Sequence, residues 1–184
     1  MNEELSEFVK NRALVRIERS AIDSRTIYGF PLGFSDTLLV IKYEFDFHID
    51  GLLFLRRDTI SDMRVNSTAR FQRQLLEDAG ELGEDQFSIS YAIESFGSVL
   101  AGLNPNQIVI LEQESLEDSE FYIGRYVWRE DGTHRLHEFS GAGNWDDELT
   151  ELDLGTITCC QLETNYIQFY QRHFNSHGFP EFPG

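Results

Sequence analysis

Apolar and polar positions alternate over short distances through most of this chain, and the series of short runs comes round twice. "ALVRIERS" from residue 13 and "QIVILEQES" from residue 107 are brief β-branched runs, which read as strands. "TIYGFPLGFSD" and "FYIGRYVWRED" follow, with Gly29 and Gly124 each seven positions ahead of an aspartate, Asp36 or Asp131. Each then enters another strand, "TLLVIKYEF" or "THRLHEF". After a turn, longer in the second series ("SGAGNWDDE"), "DGLLFLRRDTISDMRV" from Asp50 is echoed by "DELTELDLGTITCCQL" from Asp147, so that Ile60 matches Ile157. Helical periodicity closes each series in "STARFQRQLLEDAG" and "ETNYIQFYQRHF", with Ser67 and Thr164 at N-cap or first-turn positions. Helices are also expected ahead of each series. "NEELSEFVKN" gathers Leu5, Phe8 and Val9 on one face, and "FSISYAIESFGSVLAGL" carries a longer stripe through Ile93, Phe96 and Leu100.

A glycine inside a strand marks a strong bend or a close backbone approach, as a long strand needs in order to curl around a small barrel. Asp131 with Gly132 is a two-residue hairpin signal, and Ser35 with Asp36 occupies the matching corner. The pattern therefore predicts a mainly β fold with flanking helices, built as two repeated, five-stranded, strongly bent antiparallel barrels. Residues 1–78 form the first unit with its leading helix. The polar stretch 79–86 is a linker, and residues 87–184 form the second unit with its own leading helix and a C-terminal tail.

These motifs resemble the Sm-like small β-barrels, and they share much with SH3-like barrels. The resemblance rests on the bend glycine and turn aspartate, and on a second motif at Leu55, Arg56, Arg57, Asp58, Thr59 and Ile60. Its counterpart is Leu152, Asp153, Leu154, Gly155, Thr156 and Ile157. It implies a helix followed by five strands. In members that bind RNA, it also implies a base held by an asparagine after the first motif and by the arginine of the second. Only Arg56 carries over: Leu39 or Val40 stands in the asparagine's place, Arg57 replaces the motif glycine, and Asp153 replaces the second arginine. An aliphatic side chain cannot hydrogen-bond a base, and an acid repels phosphate.

Charge sharpens this picture. The 184 residues carry a formal net charge of -17. Residues 1–80 hold 11 Lys/Arg and 13 Asp/Glu, whereas residues 81–184 hold 4 and 19, so the acidity belongs to the second half. Such a field disfavours nucleic acid and speeds encounter with basic proteins; it also serves solubility alone. No apolar run reaches the roughly 18 residues that span a bilayer, and the acidic N-terminus differs from a secretory signal, so a cytoplasmic protein without membrane contact is expected. The only cysteines, Cys159 and Cys160, are adjacent on a strand and point to opposite faces, so no mutual disulfide and no zinc site is expected.

Candidate chemistry is sparse. His134 and His137 face opposite sides of a strand, and the helix holding His173 is expected to end before His177. His48 lies in a turn with Asp46 and Asp50, and no cofactor or metal is expected. The acids Glu117, Asp118 and Glu120, then Asp146, Asp147, Glu148, Glu151 and Asp153, stand among the aromatics Trp128 and Trp145. Aromatic area with carboxylate steering suits a surface for a basic protein, although the rings also suit core filling. The leading expectation is a non-enzymatic interaction module, such as an inhibitor or immunity-type protein. An RNA-binding protein acting through Arg56, Arg57 and Arg64 is the alternative, and a metal-dependent hydrolase using paired carboxylates is the third. Exposed strand edges also make homo-oligomers attractive.

Overall fold

The structure, a computed structural model, describes residues 2–128 and 132–183; the turn expected at Asp131 lies outside them. Helix α1 (Asn2–Lys10) leads into strands β1 (Val15–Arg19), β2 (Asp23–Phe34), β3 (Leu38–Phe45), β4 (His48–Arg56) and β5 (Asp62–Arg64), followed by α2 (Ser67–Asp78). After α3 (Phe96–Ala101) come β6 (Ile108–Gln113), β7 (Glu120–Trp128), β8 (His134–Glu138), β9 (Thr150–Glu151) and β10 (Cys159–Leu162), then α4 (Asn165–His177). All ten strands join one antiparallel sheet in the order β5-β1-β2-β3-β4-β10-β6-β7-β8-β9.

Two separate closed barrels are therefore not what forms. Strands β4 and β10 pair across the middle, with Leu55 opposite Cys159 and Leu52 opposite Leu162, and the outermost strands β5 and β9 are not paired to each other. Each half nevertheless places its last strand beside its first. Several turn bonds recur as well. Ser61 gives both its N–H and its Oγ–H to the Glu18 carbonyl, and Thr158 does the same to Glu112 (backbone bonds both 2.8 Å). Thr59 Oγ1 donates to the Arg56 carbonyl as Thr156 Oγ1 does to Asp153.

The bend glycines occupy matching register, Gly29 opposite Val15 and Gly124 opposite Val109. A Cβ at Gly29 would lie 2.7 Å from Ile41 Cδ1, and one at Gly124 would lie 2.1 Å from the His137 carbonyl oxygen. Neither strand could curl so tightly with a side chain there.

Both faces of the sheet are covered because its central strands are apolar on both sides. Leu5 of α1 joins Val15, Ile17, Leu39, Leu53 and Cys159. Ala69 and Leu76 of α2 cover Leu14 and Phe30, and Ile167 and Phe174 of α4 cover Ile108 and Ile110. The largest cluster takes Leu38, Val40 and Phe54 from one half and Val109, Leu136 and Cys160 from the other, so the halves share a core. Cys159 and Cys160 face opposite sides as the alternation requires, and both are free thiols.

Two helix expectations need correction. Only Phe96–Ala101 is α-helical in the segment 87–103: Phe87 closes a short 3-10 turn (Glu84–Phe87), and Ile89, Tyr91 and Ile93, recurring every second residue, pack on the core from a stretch without regular structure. Helix α4 runs through His177, and Gly178 then stops it with φ of 93°. Ser67 and Thr164 stand where expected: Ser67 opens the first turn of α2, capped by Asn66, which accepts from the Ala69 N–H, and Thr164 caps α4.

Candidate functional site

The three arginines singled out in the first half are engaged within the chain. Arg56 donates to the carbonyls of Gly155 (2.6 Å) and Leu154 (2.8 Å), so it clasps the matching turn of the second half. Arg57 donates to the Ser35 carbonyl and to Asn2 Oδ1, and lies over the Phe34 ring. Arg64 pairs with Asp62 and Glu18. A cavity of about 500 Å³ opens beside Arg56, lined also by Asp36, Asp58, Phe96 and His134, whose Nδ1 meets Tyr126 Oη at 2.6 Å.

The two acidic groups, remote in sequence, belong to two connections at the same end of the sheet, β6–β7 and β8–β9. Register explains this: Gly124 sits opposite Glu138, and Phe139 N–H donates to Ile123 O, so the turn after β8 lies alongside the start of β7. Glu117, Asp118 and Glu120 project from the β6–β7 hairpin, and Asp146, Asp147 and Glu148 from the β8–β9 turn; all six are exposed. Leu116 and Phe121, 63% and 51% exposed, stand beside the first three. Trp128, opposite His134, sits about five residues or roughly 17 Å along the strands, toward the far end with Glu151 and Asp153. Trp145 is not on that surface: it packs between Phe139 (4.9 Å) and Phe174 (4.8 Å).

Across the seam of the halves lies a cleft of about 540 Å³ that the sequence did not single out. At its base Arg19, 2% exposed, holds Glu114 in a two-pronged ion pair and reaches Asp23 at 3.4 Å. Arg25 completes the network against Asp23 (3.0 Å) and Glu114 (3.6 Å), and Thr158 Oγ1 accepts from the Glu114 N–H at 3.0 Å and shares its proton between the Glu112 carbonyl and the Glu114 carboxylate. Burial lowers the Arg19 pKa, but the Glu114 hydrogen bonds together with the nearby negative charges, Glu114 and Asp23 among them, outweigh it and leave the guanidinium more firmly protonated than usual. Burial raises the Asp23 carboxyl, and the Arg25 hydrogen bonds override it to hold that carboxyl below its ordinary range. Glu112 and Glu44 also line the cleft, and burial pushes both above the ordinary carboxyl value. No sequence pattern marks this network, since Arg19 and Glu114 stand in different halves and meet only through strand pairing.

Arg125 is the other buried cation, 3% exposed. No carboxylate faces it among the described residues. Its partners are Asn106 Oδ1, the Pro180 carbonyl and His137 Nδ1, with the rings of Trp145, Phe179 and Phe182 over its guanidinium. Desolvation lowers its pKa and that of His137. The C-terminal aromatics therefore dock on the sheet. Asp50, from the His48 turn, accepts from the Asn165 N–H at the start of α4. Among the described residues no three His, Cys, Asp or Glu side chains converge to hold a metal, and no helix is long and apolar enough to cross a membrane. Comparison with family models, curated proteins and solved structures returns no match.

Proposed function

We propose that this protein is a non-enzymatic interaction module, descended from a duplicated Sm-like unit, that presents the acidic end of its second half to a basic protein. One observation carries the reading: six exposed carboxylates stand on two separate turns at the same end of the sheet, with Leu116 and Phe121 exposed beside the first three. Carboxylates steer a basic partner to that end, and the exposed apolar side chains supply area to bury there. An inhibitor or immunity-type protein that neutralises a basic enzyme is the concrete form. The RNA-binding alternative is less well supported, because Arg56, Arg57 and Arg64 are occupied by acceptors of the chain itself.

The test is capture from a lysate of the source organism on the immobilised chain, at about 50 mM and about 300 mM salt, between which screening tightens markedly. A basic protein should be retained at the lower salt and weakened at the higher. The combined variant Glu117→Gln, Asp118→Asn, Asp146→Asn, Asp147→Asn should lose most of it. Recovery of no basic protein at either salt overturns the reading.

A further inference from the structure

The C-terminal tail, residues 178–183, belongs to no helix or strand, yet it lies over the buried arginine of the second half. Pro180 offers its carbonyl to Arg125 Nη2 at 2.7 Å, and the ring centres of Phe179 and Phe182 stand 5.1 and 4.2 Å from the guanidinium carbon. The same nitrogen reaches His137 Nδ1 at 3.2 Å. A guanidinium only donates, so Nδ1 accepts and carries no hydrogen. His137 Nε2 then donates to the Asp146 carbonyl at 2.9 Å. One chain of bonds thus runs from the β8–β9 turn through His137 and Arg125 to the tail, and both hydrogens of Nη2 are committed to it.

That chain is complete only while His137 is neutral. A second proton, on Nδ1, sets N–H against N–H and one cation against another at a residue only 2% exposed. Among the described residues the charged groups around it are Arg125, opposite it on β7, Arg135, two positions along the same face of β8, and Asp146, whose side chain is exposed. Glu181, the carboxylate of the tail, is exposed as well. Burial and the Arg125 charge hold the imidazole below its ordinary value, and the nearness of Asp146 opposes them in part. The tail leaves α4 at Gly178, where φ is 93°, so its attachment is a residue whose backbone turns freely.

We infer that the tail is a pH-dependent strap, seated while His137 is neutral and released when a proton from solvent on Nδ1 pushes Arg125 Nη2 off His137 and Pro180 together. Residues 178–183 then lift, and Arg125 meets solvent. A single nitrogen serves both bonds, so the imidazole and the tail respond as one. The inference is separate from the contact with a basic partner, since it uses the carbonyl of Asp146 and none of the carboxylates of that surface.

The experiment follows the isotope-labelled full-length chain by NMR from about pH 8 to about pH 5, the range in which imidazoles titrate. Backbone order parameters at Phe179 and Phe182 should fall from about 0.85 to below about 0.6. Their midpoint should coincide with that of the His137 imidazole and lie below 6.5, while the amides of β3 and β4 hold throughout. His137→Gln keeps an acceptor for Arg125 and a donor for Asp146 but gains no proton, so its tail should stay rigid at about pH 5. Arg125→Met should free the tail across the whole range. His173→Gln and His177→Gln, which alter the imidazoles stacked on α4, should leave the transition where it is. A tail rigid down to about pH 5, a transition shared by the whole sheet, or one unchanged in His137→Gln overturns the inference. If that variant fails to fold, the coincidence of the tail and His137 midpoints in the unaltered chain decides it.

Discussion

The two halves share a strand order and repeat the same turn bonds, yet they treat charge in opposite ways. Every ion pair among the described residues draws its cation from the first half, from Lys10 through Arg73. In the second half only Glu84 and Glu114 enter such pairs, both with first-half arginines. The acids of the β6–β7 and β8–β9 turns face outward instead. The difference teaches that backbone bonds and curl set this scaffold, leaving its loops free to carry whatever charge a surface needs.

The largest effect is expected from the seam. Arg19→Met should lower stability by about 3 kcal/mol in urea denaturation, because it leaves buried Glu114 with only the more distant, exposed Arg25 at 3.6 Å. Arg125→Met in the second half leaves no buried carboxylate behind and should cost under about 2 kcal/mol. Equal losses at the two sites would break the contrast between a paired and an unpaired buried arginine.

The bend glycines sharpen the comparison at the next level. Gly124→Ala drives Cβ onto the backbone of His137, which cannot move without breaking the β7–β8 ladder, and should cost about 3 kcal/mol. At Gly29 the nearest atom is the end of the Ile41 side chain, which can rotate, although the Lys42 carbonyl at 2.8 Å limits relief; about 1 to 2 kcal/mol is expected. Thermal denaturation of the pair checks the order, and the reverse order would deny the tighter curl to the second half.

The smallest effect is the dependence on pH. Glu44 and Glu112 bind their protons more tightly in the folded chain than in the unfolded one, so their contribution to stability is greatest in acid. It declines as pH rises above the ordinary carboxyl value of 4.5. Asp23 acts in the opposite sense, its contribution being lost as pH falls below 3.8. Denaturation midpoints between pH 4.5 and 7 should therefore fall less steeply in Glu44→Gln than in the unaltered chain. An identical slope would show that the cleft does not desolvate this carboxyl.

Much of the scaffold was legible in the pattern of residues. The strands around Gly29 and Gly124, the first, second and fourth helices, the opposite facing of Cys159 and Cys160, and that of His134 and His137, all follow from local alternation and caps. The misreading of segment 87–103 has the same origin, since Phe87, Ile89, Tyr91 and Ile93 obey a period of two while Phe96, Val99 and Leu100 obey that of a helix. Trp145 reads equally well as a surface or a core ring, and only the packing of Phe139 and Phe174 decided for the interior.

By itself, then, the sequence determined which stretches become strands, where they bend and how charge divides between the halves, because these depend on neighbours a few residues apart. Tertiary structure alone decided that β4 pairs with β10, and with it the shared core, the Arg19–Glu114 pair and the cleft above it. The physical reason is that a strand edge carries no address in its letters. Its N–H and C=O groups accept any well-placed partner, so the choice depends on the whole chain's burial.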